Sequence, residues 1–347
     1  MPSKPNCHQA KPLVGYLGLS RHAFLLLLLI FLPVRSLLAT PIDGMVGKIS
    51  QTDYANYVQQ LQNFGTRYYN TQGNVNALTY IYDAFIGFGL DVGYDAFSYN
   101  GNSYNNVVAT LPGKNHPEQV YIVGAHMDST STAPTTNAPG ADDNASGMAT
   151  VLEMAKVMVG YAFDATIKFF GFNAEEQGLI GSKAYADKAK SNGEQVLGML
   201  NFDMIAYPGS GGGKNVFLAG NSGLVDAMAN NALKYTDLTT TLNYNNLYGS
   251  DHYYFHSSYF NGSTSAFAIE AAPASIPSHN PNYHKTADTV DYLDFSYASN
   301  VTRMGVATLA GLANVIPEPS SLLCFLSGGL LIIFVHTRTK QNHNNYS

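Results

Sequence analysis

The sequence predicts an α/β fold: a single domain built on a mixed, largely parallel central sheet with helices on both faces. Three observations predict it. Short apolar runs rich in β-branched residues alternate with helical patterns along most of the chain, which is how a covered parallel sheet reads in sequence. The 347 residues are 46% hydrophobic and 12% charged, which suits a globular domain and excludes a disordered chain. The two cysteines, Cys7 and Cys324, lie in opposite terminal segments. The part between them therefore has no disulfide framework and no thiolate ligand for a metal.

Taken in order, Asp53–Phe64 and Gln72–Phe88 carry apolar residues at helical spacing (Tyr54, Tyr57, Val58, Leu61; Leu78, Ile81, Phe85). Two runs, 91–99 and 105–111, read as strands, and Asn100-Gly101 between them signals a hairpin. That hairpin gives the sheet its mixed edge. Strand 120–125, helix 145–159, strand 166–172, helix 176–190 and strand 196–204 follow. After them come strand 215–219, helix 224–234, strand 239–244, a short helix near 251–256, strand 266–270 and a last helix over 295–315. No repeat and no internal linker interrupts residues 40–315, so they read as one domain.

The two ends read as signals. Lys4, Lys11 and Arg21 precede the apolar run Ala23 to Leu32 and a small-residue exit at Ala39-Thr40. That is the layout of a secretory signal peptide over residues 1–39, and signal peptidase is the partner it implies. An uncleaved anchor would need a longer apolar run, since a spanning helix takes ~20 residues. At the other end, Pro317 and Pro319 cannot lie inside a helix. The segment 316–347 continues with the apolar Leu322 to Val335 and the basic Arg338 and Lys340. It resembles the PEP-CTERM sorting signal of bacterial exported proteins. The resemblance implies an exosortase-type processing enzyme, transient anchoring at the membrane, and a final place in the periplasm, on the cell surface or outside the cell. An ordinary single-pass anchor is the alternative.

The ends hold 6 of the 18 basic residues and 1 of the 24 acidic ones, so the domain between them carries a net charge of −11. A domain this acidic repels phosphate backbones, and nucleic acid is excluded as an expected partner.

Chemistry-bearing residues collect at predicted strand ends and in loops. His126 and Asp128 end one strand, and Asp142-Asp143-Asn144 opens a helix. Glu175-Glu176 follows strand 166–172, Asp203 ends strand 196–204, and Tyr283-His284 lies in the loop after strand 266–270. Each alone could be a cap or a surface group. Together they sit at the carboxyl edge of an α/β sheet, where such folds place their sites. Two histidines and three carboxylates without sulfur suit a pair of divalent ions, with zinc the first choice. Two metals need a carboxylate between them, which an aspartate at a helix start supplies.

The runs A-H-M-D-S from Ala125, G-A-D-D-N-A-S-G from Gly140, N-A-E-E from Asn173, N-F-D-M from Asn201 and Tyr283-His284 resemble, in order, the motifs of the co-catalytic zinc aminopeptidases of the bacterial leucyl-aminopeptidase type. Ser250-Asp251-His252 also recurs there. The resemblance spans about residues 105 to 312. It implies a single-domain zinc-exopeptidase (phosphorylase/hydrolase-like) fold holding two Zn²⁺. By position, His126 and Glu176 are implied as outer ligands of different zincs and Asp143 as the bridge. Asp203 and His284 complete the shells, with Asp203's own shell left open. Asp128 is implied as the partner of the second His126 ring nitrogen, Glu175 as general base, and Tyr283 as a group that helps hold the tetrahedral oxyanion. The same family implies a cis peptide after Asp143 and a structural role for Asp251-His252.

The expected activity is removal of N-terminal residues from peptides and proteins. A glutaminyl cyclase, a carboxypeptidase and a non-catalytic binding ectodomain on the same fold are the competing expectations.

Overall fold

Asn100 and Gly101 both take left-handed backbone (φ 49° and 75°), and Tyr99 pairs directly with Asn102 across them. Strand β1 (Asp91–Tyr99) thus turns into β2 (Asn102–Leu111) through a two-residue turn that needs positive φ at both positions. The hairpin begins a sheet of eight strands. The remaining strands are β3 (His116–His126), β4 (Ala165–Phe172), β5 (Gln195–Phe202), β6 (Asn215–Gly220), β7 (Thr239–Asn243) and β8 (Thr264–Glu270). Their order across the sheet is β1-β2-β4-β3-β5-β8-β6-β7. This is a computed structural model. It describes residues 40–317 apart from 210–211, 261 and 271–279. The proposed signal peptide over 1–39 and the segment from 318 onward lie outside the described residues.

Four neighbouring strands, β4, β3, β5 and β8, run parallel, while β2 joins β4 and β6 joins β8 in antiparallel fashion. Mixed character therefore appears on both flanks, whereas the sequence suggests it only at the hairpin. The second reversal follows from a connection, 203–214, that carries no described helix between β5 and β6 and so does not return the chain in parallel.

Helices cover both faces. They are α1 (Pro41–Gly47), α2 (Gln51–Gln62), α3 (Gln72–Phe88), α4 (Gly147–Met158), α5 (Ile180–Ser191), α6 (Ser222–Tyr235) and α7 (Phe295–Leu312). Helix α1 has no counterpart in the sequence expectation, being too short to show a period. A Thr40–Asp43 capping box and Pro41 in the first turn start it. Along β4, Ile167 and Phe169 join the core beneath α4 and α7, while Phe170 and Phe172 join a second core with Tyr185 of α5 and Phe255. Both faces are buried, so β4 reads as a continuous apolar run rather than an alternation. Each fully buried phenylalanine contributes roughly 1.5–3 kcal/mol. Among the described residues, no helix is long and apolar enough to cross a membrane.

Candidate metal centre

The carboxyl ends of β3, β4 and β5 deliver the site. His126 is the last residue of β3 and is buried to 1% exposure. Its Nε2 lies 3.3 Å from Asp143 Oδ1 and 3.3 Å from Asp203 Oδ1. Across the bridging carboxylate, His284 Nε2 lies 3.1 Å from Asp143 Oδ2 and 3.0 Å from Glu176 Oε2. Two donor triads result: His126, Asp143 and Asp203, and Asp143, Glu176 and His284. Within each, the donor atoms lie within 4.8 Å of one another. Asp143 gives one oxygen to each, and Asp203, left open by sequence, falls with His126. Glu175 offers an oxygen within the same reach of His126 and Glu176.

Local structure explains each placement. Glu175 and Glu176 are not the first turn of a helix, as the sequence suggests. Helix α5 starts only at Ile180, because Gly178 and Leu179 take left-handed φ of 105° and 61°. The two glutamates therefore ride a tight loop, and their backbone N–H groups donate to Asp128, Glu175 to Oδ1 at 3.1 Å and Glu176 to Oδ2 at 3.2 Å. Asp128 also faces the second ring nitrogen of His126. Its carboxylate stands 3.7 Å from His126 Nδ1, and its backbone carbonyl, at 3.1 Å, is the hydrogen-bond partner of that nitrogen. The same carboxylate holds the glutamate loop.

Asp143 sits in a distorted turn, 141–146, ahead of α4, and its peptide bond to Asn144 is cis. Both carboxylate oxygens of Asp288 accept from this turn, from the N–H groups of Asp142 and Asp143 at 3.0 Å each. Gly140 enters it with φ 52°, and a Cβ there would run into the Asp143 carbonyl oxygen. Ser250 donates to Asp203 Oδ2 at 2.6 Å. Sequence reasoning passed over Arg67, which is 1% exposed. Its guanidinium donates to the carbonyls of Met127 (2.8 Å), Pro139 (2.6 Å) and Gly140 (2.8 Å). It thereby ties the segment after His126 to the segment before Asp143. The only available signal was scarcity, since Arg67 is one of two arginines in residues 40–317.

The donors are titratable groups in a dry place. Burial pushes Glu176 up to about 7, aided by the negative charge of Asp143. Burial also raises Glu175 well above the usual carboxylate range. Burial draws His284 down, but the Asp143 and Glu176 carboxylates outweigh it and carry the imidazole up to about 10. Burial opposes ionisation of Asp143 too, yet hydrogen bonds from His126 and His284 hold it below its usual value. Glu176 Oε1 is buried without any hydrogen-bond partner. A buried orphaned carboxylate oxygen costs free energy unless something cationic meets it. Imidazole nitrogens and carboxylate oxygens without sulfur fit zinc.

Beside the triads a pocket opens between Met204, Leu247, Tyr248, Phe267 and Ile269. Tyr283 borders it and stacks on His284, ring centroids 3.7 Å apart. Burial and the surrounding carboxylates raise the Tyr283 phenol, so it stays protonated. Asp251 and His252 are both fully buried at the start of a short 3₁₀ turn, Asp251–Phe255. His252 stacks on Phe267 at 4.8 Å and is pushed down to about 3 by burial, so it is neutral.

Fold and site together define a hydrolase of the metal-dependent kind, with two adjoining carboxylate–histidine triads at a sheet edge. The chain belongs to peptidase family M28, whose model matches residues 106–309. It is therefore a peptidase. A leucine aminopeptidase 1 of Paracoccidioides brasiliensis (strain Pb03) is 29% identical over 294 residues, covering 78% of this chain and 73% of that one. A probable leucine aminopeptidase 1 of Trichophyton verrucosum is 31% identical over 299 residues, covering 79% and 77%. The LapA aminopeptidase of Legionella pneumophila has a similar fold, with a TM-score of 0.69 at 21% identity, covering 80% of this chain and 75% of that one.

Proposed function

We propose that the protein is a two-zinc metallo-aminopeptidase that releases apolar N-terminal residues from peptides. The observation that carries this is the pair of triads sharing Asp143, with Glu175 facing both. His126, Asp143 and Asp203 would hold one zinc, and Asp143, Glu176 and His284 the other. When bound, the pair supplies Lewis acidity for the scissile carbonyl and lowers the pKa of a water towards ~7. Glu175 takes the proton from the attacking water and passes it to the leaving amine. The protonated Tyr283 phenol borders the place where the oxyanion develops and donates to it. Met204, Leu247, Phe267 and Ile269 receive the N-terminal side chain and favour an apolar one. The names of the curated relatives support the exopeptidase reading.

A panel of aminoacyl anilides tests it. Leucyl and phenylalanyl anilides are expected to turn over faster than glutamyl and lysyl ones, and a chelator is expected to stop all of them. Turnover that survives the chelator would remove the metal reading. Hydrolysis of N-acetylated peptides from their carboxyl end would make the enzyme a carboxypeptidase. Cyclisation of an N-terminal glutaminyl peptide would make it a cyclase.

We also propose export, on the strength of the two ends of the sequence. Signal peptidase removes residues 1–39, and an exosortase-type enzyme cuts near 317–320 after the apolar segment has held the chain at the membrane. Protein from the native host is expected to have an intact mass lacking both ends. A mass that includes Leu322 to Ser347 would identify a permanent anchor instead.

A further inference from the structure

Sheet order sets the path of a bound peptide. Phe267 and Ile269 lie on β8, and Glu175 and Glu176 follow β4, so the apolar pocket sits on the β8 side of the triads. On the other side the strands are β2 and then β1. Because β2 runs antiparallel to β4, with Val107 opposite Gly171, its first residues reach the same edge as the catalytic loop. The hairpin tip at Asn100-Gly101 stands at that edge as well.

A second cleft opens there, between the hairpin and the start of α3. Tyr69, Asn70, Gln72, Asn102, Tyr104 and Asn105 line it, and no lining residue is charged. Its inner wall is Asn173, two residues before Glu175, whose side chain is paired with that of Asn74 at 2.9 and 3.1 Å. Tyr69 packs edge-on against Tyr99 and Tyr104, with centroids 5.5 and 5.3 Å apart, and against Tyr68 at 4.9 Å. Through Asn173 the cleft adjoins the start of the glutamate loop.

Amide side chains and phenol rings without charge suit a peptide main chain, which offers one donor and one acceptor per residue and flanking side chains of any kind. From the loop after β4 to β1 is two strand spacings, roughly 10 Å. That distance takes about three residues of extended chain at ~3.3 Å each.

We infer that the tyrosine–asparagine cleft between the β1–β2 hairpin and the start of α3 binds the substrate chain beyond the scissile bond, over its second to fourth residues. This rests on the aminopeptidase reading. With the N-terminal side chain in the apolar pocket and the scissile carbonyl at the triads, the chain leaves along the sheet edge into the cleft. A substrate with no residue after the scissile bond makes none of these contacts.

A charge placed in the cleft reads the path directly. Ser103 lies on the exposed side of the cleft, so substituting it should leave the core intact. The readout is the ratio of kcat/KM for leucyl-alanyl-glutamyl-alanine to that for leucyl-alanyl-lysyl-alanine. Ser103→Lys is expected to raise this ratio about two- to fivefold, and Ser103→Glu to lower it by a similar factor, the size of an exposed charge pair. Both shifts should shrink in high salt. A ratio that does not move, or that moves the same way in both variants, overturns the inference. Leucyl anilide hydrolysis by the unmodified protein is run alongside. Its absence would instead overturn the aminopeptidase reading on which the cleft's role depends.

Discussion

Glu175→Gln is expected to lower turnover of a leucyl anilide by at least ~10² while leaving the metal content unchanged. General acid–base groups contribute ~10²–10⁴. The substitution keeps the shape of the side chain and removes its basicity. Its backbone N–H donates to Asp128 whatever the side chain, so the loop that carries Glu176 keeps its anchor. The geometry separates the two neighbouring glutamates. Glu176 Oε2 meets His284 at 3.0 Å within one triad, while Glu175 reaches towards His126 and Glu176 from outside both shared sets. Metal analysis and turnover are to be measured on one preparation. Loss of one equivalent of zinc in Glu175→Gln would make Glu175 a ligand and remove it as the base. Full turnover with full zinc would place the base elsewhere.

The assignment of these glutamates shows where sequence reasoning succeeds and where it stops. The motif order brought His126, Asp143, Glu176, Asp203 and His284 together because His126 and Asp203 close strands whose apolar runs are plain in sequence, while Asp143 and His284 lie in turns that only the motifs mark. The loop between β4 and α5 was misread as a helix start. Acidic residues ahead of a helical period look like a favourable first turn, and only the left-handed backbone at Gly178 and Leu179 delays the helix. The Asn100-Gly101 hairpin was legible because its information is local. The pairing of β8 with β6 depends on contacts between distant strands and was not. Asp288 and Arg67 were silent for a related reason. Asp288 holds the backbone of Asp143 across 145 residues of sequence. Arg67 acts on backbone carbonyls, which every residue has and no motif marks. The second task of Asp128, accepting from the Glu175 and Glu176 N–H groups, was silent in the same way, since it too is made to backbone.

Removing the metals with a chelator is expected to abolish activity and to make the protein less stable as pH rises from 5.5 to 8. Several buried carboxyls are held above their usual values when no cation neutralises them. Burial pushes Glu176 and Asp251 up to about 7, and burial with the nearby charge of Asp142 pushes Asp288 up to about 8. An unfolded chain releases these protons near pH 4, so between there and pH 7–8 the folded form binds more protons than the unfolded form. The stability they contribute is complete below pH ~4 and is lost as pH climbs through their folded values. His284, raised to about 10, acts in the same direction above pH ~6.5. Asp143 is held low, so its contribution is present throughout this window and is lost only in acid. Zinc reverses the trend, because its ligands must give up their protons to bind it. A ligand at about a hundred times its Kd adds ~2.7 kcal/mol, and this gain should grow towards pH 8. Thermal melts at pH 5.5 and 8, each with chelator and with zinc, would show it. The expected result is a zinc-induced rise in Tm that is several degrees larger at pH 8. An equal rise at both pH values, or none, would mean that the two triads do not bind metal through these carboxylates.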